Sequence, residues 1–147
     1  MIRFKCRLSG AGWAVATIGD ERGDITFPAS YLCDALRDFL DAVQSLFVNS
    51  TAECAWGQEP GEVRWTFQRS GSRISLGVGW HDGRDKFSGD GDLLRFAAEV
   101  KRELDGLIED WGEEGYLKHW RHPFRHEAYR RLEVGIRSEL ERRKTSK

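Results

Sequence analysis

Apolar and polar residues alternate from the second position of the chain, with Ile2, Phe4, Cys6 and Leu8 on one parity and Arg3, Lys5, Arg7 and Ser9 on the other. A period of two belongs to a strand with one buried and one wet face. Ser9-Gly10-Ala11-Gly12 supplies turn residues, and Trp13, Val15 and Thr17 resume the alternation, which predicts a hairpin. A second turn over 20–24 and a short strand over 25–27, ended by Pro28, complete an antiparallel meander.

The period then lengthens. Leu32, Leu36, Phe39, Leu40, Val43, Leu46 and Phe47 recur at spacings of three and four, predicting an amphipathic helix from an N-cap at Ser30 to about Phe47. Its far side carries Asp34, Arg37, Asp38, Asp41 and Gln44, a face expected in water. Strands over 52–58, 62–69 and 72–80 follow, separated by the Glu59-Pro60-Gly61 and Ser70-Gly71-Ser72 turns. Val63, Trp65 and Phe67, then Ile74, Leu76, Val78 and Trp80, form their inward sides. Turn composition over 81–86 leads to a short strand at Phe87-Ser88.

Gly89-Asp90-Gly91-Asp92 caps a long helix in which Leu93, Phe96, Ala97, Val100, Leu104, Leu107, Ile108 and Trp111 keep helical spacing up to Gly112. Residues 113–120 predict a short helical turn. His122-Pro123 forces an extended residue and opens a last helix, with Phe124, Ala128, Leu132, Ile136 and Leu140 expected inward and the polar tail 142–147 expected to fray. Strands joined by short turns, with one helix among them, predict an α+β class: one antiparallel sheet of about six strands with helices packed on one face, a single domain over 1–147. A doubly wound parallel sheet would need a helix between most strands.

Composition narrows the function classes. A chain of 147 residues with 39% hydrophobic residues can bury a core without disulfide or metal, and a formal charge of -1 gives no overall pull toward nucleic acid. Cys6, Cys33 and Cys54 are odd in number and fall in predicted strands and helix, which reads as reduced core thiols. The alternating start has no apolar leader, and no run reaches membrane-spanning length, so a cytoplasmic protein without membrane contact is expected. Acidic residues crowd the first sixty positions and Lys and Arg the last thirty, so part of the charge is expected to cancel internally.

Candidate chemistry is sparse. His119, His122, His126 and Glu127 have spacings that can converge on a metal, the alternative reading being a small metal-binding protein or metal-dependent enzyme, but Pro123 interrupts the helical register that would align them. Glu53, Glu59 and Glu62 include no pair of fixed separation, and salt bridges to Arg64 or Arg73 are the simpler use. The Gly-X-Gly segments lack the helix and Lys or Ser/Thr of a phosphate loop, so no cofactor is expected. Of the six tryptophans, Trp65 and Trp80 share strand faces with aliphatic residues, which favours core packing over base stacking. The expectation is therefore a non-enzymatic protein. Asp20, Glu21, Asp24, Asp34, Asp38 and Asp41 are its candidate contacts to a basic partner.

Two segments, Glu59-Pro60-Gly61-Glu62-Val63-Arg64-Trp65 and Gly112-Glu113-Glu114-Gly115-Tyr116-Leu117-Lys118-His119-Trp120-Arg121-His122-Pro123-Phe124, resemble stretches shared by a group of small bacterial proteins. The likeness covers most of the chain after residue 30. In size and layout that group is similar to the immunity proteins of polymorphic and contact-dependent toxin systems. The resemblance implies a protein that binds and neutralises a cognate toxin, with the six acidic residues as the surface offered to it. The near-neutral net charge departs from the strongly acidic balance of nuclease-blocking immunity proteins.

Overall fold

A computed structural model describes residues 1–58, 61–80 and 86–145. Strands β1 (Arg3–Gly10), β2 (Trp13–Asp20) and β3 (Gly23–Ser30) form one antiparallel sheet in that order. Helix α1 (Ala35–Ser45) leads to β4 (Thr51–Gly57), β5 (Glu62–Ser70), β6 (Arg73–Trp80) and β7 (Lys86–Asp92), a second antiparallel sheet, also in chain order. Helices α2 (Leu93–Trp120) and α3 (His126–Thr145) follow. The α+β class is as expected, but the single sheet of about six strands is not: seven strands divide into sheets of three and four. Among the described residues, no helix is long and apolar enough to cross a membrane.

Local chemistry explains where the elements depart from their periodicity. Pro28 does not end β3, because it lies opposite Val15 with its carbonyl turned outward, accepting from Gln58 Nε2 at 3.1 Å. A residue's N–H and C=O share one side of a strand, so the missing N–H of proline costs no ladder bond there. With Ser30 held in β3 opposite Trp13, the cap of α1 passes to Asp34, whose carboxylate accepts from Arg37 N, and Leu32 is left 63% exposed outside the helix. The short strand expected at 87–88 extends over seven residues as β7. The turn expected over 81–86 lies outside the described residues up to 85. Gly112 breaks α2 with φ 70, and the chain resumes as a helix to Trp120, capped by Arg121 in the left-handed region. Leu140, expected inward, is 43% exposed, and Glu139 is buried in its stead. Helix α3 runs to Thr145.

The inner faces of the two sheets meet through aromatic rings. Phe27 of β3 lies 5.6 Å from Trp56 of β4 and 5.5 Å from Trp65 of β5, and Phe4 of β1 lies 6.2 Å from Trp65. Phe39 of α1 and Phe96 of α2 enter the same cluster, while Arg3, Lys5 and Arg7 on β1 and Arg64, Thr66 and Gln68 on β5 face water. The indole N–H groups of Trp56 and Trp65 are buried without an acceptor. An orphaned donor costs about 1–3 kcal/mol, whereas burying an indole's 150–250 Å² contributes roughly 4–6 kcal/mol, so packing outweighs the loss.

Each sheet has one outer strand lined by a helix, α2 along β1 and α1 along β4. Along β1 the fit is chemical. Phe4 N donates to Glu99 Oε1 at 3.1 Å and Cys6 N to Glu103 Oε1 at 2.9 Å. Four helical rises span about 6.0 Å and two strand residues about 6.6 Å, so one turn of α2 matches two outward N–H groups of the strand. Burial, reinforced by the nearby Glu103 charge, pushes the Cys6 thiol up to about 12.

The other end of α2 is held at the first hairpin. Gly12, at φ 85, donates to His119 O at 2.9 Å and accepts from Tyr31 N at 2.8 Å. A Cβ at this position would stand 2.4 Å from Tyr31 Cδ1, so only glycine fits. Replacing Glu99 and Glu103 together by alanine removes two acceptors at about 1 kcal/mol each. The double variant is expected to lose about 2 kcal/mol in urea unfolding, with each single variant losing about half.

Candidate functional site

The six acidic residues separate into two groups. Asp20, Glu21 and Asp24 lie around the β2–β3 turn, and Asp34, Asp38 and Asp41 lie at the start and along the outer side of α1. Asp20 is mostly buried and holds Arg22 through its side chain and backbone N–H, which keeps its carboxyl below the usual range; Arg22 in turn reaches Ser88 O. Glu21 pairs with the amino group of Met1, and Asp24 is exposed.

Asp34 is nearly enclosed and serves three donors: the α1 backbone at Arg37 N, Trp120 Nε1 at 3.0 Å and Arg125 Nε at 2.8 Å. Asp41 lies 3.6 Å from Arg37 and 3.9 Å from Arg131. Asp38 stays solvent-facing. Desolvation, followed by the Asp34 charge, raises its carboxyl above the usual range. Beside it an open hollow of about 420 Å³ between α1 and β4 also carries Glu53, which pairs with Arg64 at 3.8 Å.

The histidines disperse. His119 packs its ring 4.3 Å from that of Trp111, His122 Nε2 bonds Tyr31 O at 2.6 Å, His126 pairs with Glu113, and Glu127 pairs with Arg131. Among the described residues no group of three or more His, Cys, Asp or Glu side chains is arranged to hold a metal ion. Glu62, like Glu53, pairs with Arg64, at 3.7 Å, and Glu59 lies outside the described residues. Cys6, Cys33 and Cys54 are free thiols. The segment from Tyr116 to Phe124 is structural: Tyr116 and Trp120 are buried, and Phe124 stacks edge-on to Tyr116 at 5.5 Å.

A concavity of apolar character lies among the described residues at a place that the acidic candidates did not indicate and that the histidine set touches through Glu127 alone. A groove of about 550 Å³ runs between the C-terminal end of α1 and the outer side of α3. Phe47, Val48 and Val134 supply its apolar lining, with Val48 84% and Val134 55% exposed. Gly135 lets the two helices meet, since a Cβ there would stand 2.4 Å from Phe47 Cδ2. Arg130, Arg131 and Arg142 bring positive charge, and Arg130 makes no ion pair with any described residue.

Beneath the groove a buried carboxylate fixes the end of α3. Glu139, 3% exposed at its side chain, lies 2.6 Å from Arg142 Nη2, 3.0 Å from Arg143 Nε and 3.3 Å from Arg69 Nη2. Arg69 also donates to Leu46 O at 2.7 Å, and Arg143 reaches Asp92, the cap of α2, at 2.9 Å. The bonds from Arg142, then those from Arg143 and the Arg69 charge, hold the Glu139 carboxyl down to about 2 against the opposing effect of burial. The sequence signal for this cluster was the Glu139-Arg142-Arg143 spacing of three and four, masked by the arginine-rich tail around it.

Comparison with known proteins finds no matching family model, no similar curated protein and no similar solved structure.

Two substitutions test the geometry. Asp34→Ala removes a helix cap, orphans a buried indole N–H and breaks the Arg125 pair; the expected loss is about 3 kcal/mol by chemical denaturation, against about 1 kcal/mol for Asp34→Asn, which keeps an acceptor oxygen. Glu139→Gln removes the carboxylate shared by Arg69, Arg142 and Arg143, of which Arg143 keeps Asp92, and is expected to cost about 3 kcal/mol at neutral pH. Because the folded carboxyl titrates below its unfolded value, this contribution is complete above the ordinary carboxylate range and fades as pH falls toward about 2. Melting curves of wild type and Glu139→Gln should therefore converge on acidification from pH 5 downward.

Proposed function

We propose that this chain is a non-enzymatic protein-binding domain of the immunity type, which binds a cognate toxin domain in the cytoplasm and blocks it. The observation that carries the protein-binding part is the groove between α1 and α3, where Val48 and Val134 stand open to water beside Phe47. An apolar concavity open to water gains free energy when a partner covers it. The toxin as partner is implied by the sequence resemblance. Asp41 lies 3.9 Å from Arg131 of the groove lining, so a partner that fills the groove also reaches that carboxylate of α1.

Val134 is half out in solvent, and its replacement by aspartate is expected to change stability by no more than about 0.5 kcal/mol while setting a carboxylate, one turn from Arg130, against the apolar side of the partner. In co-expression with the product of the adjacent open reading frame, the wild-type chain should co-purify with that protein and restore growth. Val134→Asp should reduce capture at least tenfold with an unchanged melting temperature. Wild-type chain that neither binds nor protects would count against immunity, and undiminished capture by Val134→Asp would count against the groove.

A further inference from the structure

We infer that the groove between α1 and α3 receives an amphipathic α-helix of a partner protein, apolar on the side it buries and acidic along its flanks; the inference rests on the protein-binding reading above. The residues that α3 contributes include Glu127, Arg131, Val134, Ser138 and Arg142, spaced by three and four along one ridge. From Glu127 to Arg142 this ridge is about 22 Å long at about 1.5 Å per residue. A second helix laid beside it meets a ready-made set of ridges and grooves.

Backbone chemistry decides between a helix and an extended segment. The walls are α3 and the end of α1 with the turn after it, where Phe47 N and Val48 N bond back to Gln44 O and Ser45 O, so a docking strand would find no row of free N–H groups to pair with and would leave its own backbone dry. A helix brings its backbone bonds with it. The length and the open floor also set this groove apart from small-molecule pockets, which enclose most of their ligand.

The charge of the lining selects the sign of the partner. Of the guanidinium groups in the lining, Arg131 pairs with Glu127 and lies 3.9 Å from Asp41, and Arg142 is held by the buried Glu139, which leaves the lining with the charge of Arg130 in excess. Arg130 has no counter-ion among the described residues. Glutamate or aspartate on the flanks of the incoming helix would supply it. A second copy of this chain is disfavoured by the same count, because a two-fold contact sets like patches against each other and would bring arginine rim to arginine rim.

The probes are two synthetic 16-residue peptides with identical leucine positions at helical spacing, one flanked by glutamates and one by lysines, titrated into the full isotope-labelled chain at low salt. The glutamate peptide is expected to shift the amide signals of Phe47, Val48, Arg130, Val134 and Ser138 and to bind at least tenfold tighter than the lysine peptide. Arg130→Glu should remove that preference, and Val134→Asp should weaken both peptides. Equal or tighter binding of the lysine peptide, shifts mapping to another surface, or no binding of either would overturn the inference. So would a dimer in light scattering that Val134→Asp dissolves, which would assign the groove to a second copy. If both peptides fail while Val134→Asp still abolishes capture of the toxin protein, the acidic helix is wrong and the protein-binding reading stands. If that variant leaves capture intact, the groove reading falls whatever the peptides do.

Discussion

Phe39 is the point through which the rest of the structure is held. Its ring lies 4.7 Å from Trp65, 5.5 Å from Trp56 and 6.2 Å from Phe67 in one sheet, 5.0 Å from Phe4 in the other, and 6.4 Å from Phe96 on α2. One residue thus fixes the position of α1 against both sheets and the second helix. The consequences run out along α1 in both directions. At its start, Asp34 is placed to receive Trp120 and Arg125, which anchors the chain after α2. At its end, Phe47 is placed against Gly135 of α3, and both residues line the groove.

The uneven charge along the chain resolves into pairs between its early and late parts. Asp34 meets Arg125, Asp41 lies near Arg131, and Asp92 and Glu139 share Arg143. A total charge near zero therefore conceals strong local order. Exposed pairs such as Arg64 with Glu53 and Glu62 contribute little to stability. The enclosed Asp34 and Glu139 are a different matter, since losing one partner strands the others.

Sequence periodicity was informative where burial is set by neighbours a few residues away. The stripe from Leu93 to Leu107 and the alternation of Val63, Trp65 and Phe67 against Ile74, Leu76 and Val78 all reappear as buried positions. It was uninformative where a third element decides. Ser30 and Asp34 are equally good cap residues, and only the pairing of Ser30 with Trp13 assigns the cap to Asp34. Division into two sheets was invisible because nothing local records that β3 will not pair with β4. The groove was hidden for a related reason, because it is a gap between segments far apart in the chain. Its trace in the sequence was the pair of apolar residues off any inward stripe, Val48 and Val134.

The carboxylates of Glu99 and Glu103 do more than bond two amides. An uncovered outer strand is a template on which another chain can add itself, and the N–H groups of Phe4 and Cys6 lie on the open edge of β1 that such an addition would use. With α2 in place the row is occupied by side chains that no incoming strand can displace without leaving two acceptors empty. Detachment of α2 would therefore convert the first strand of this protein into a site of self-association, and the helix guards the solubility of the chain as well as its shape.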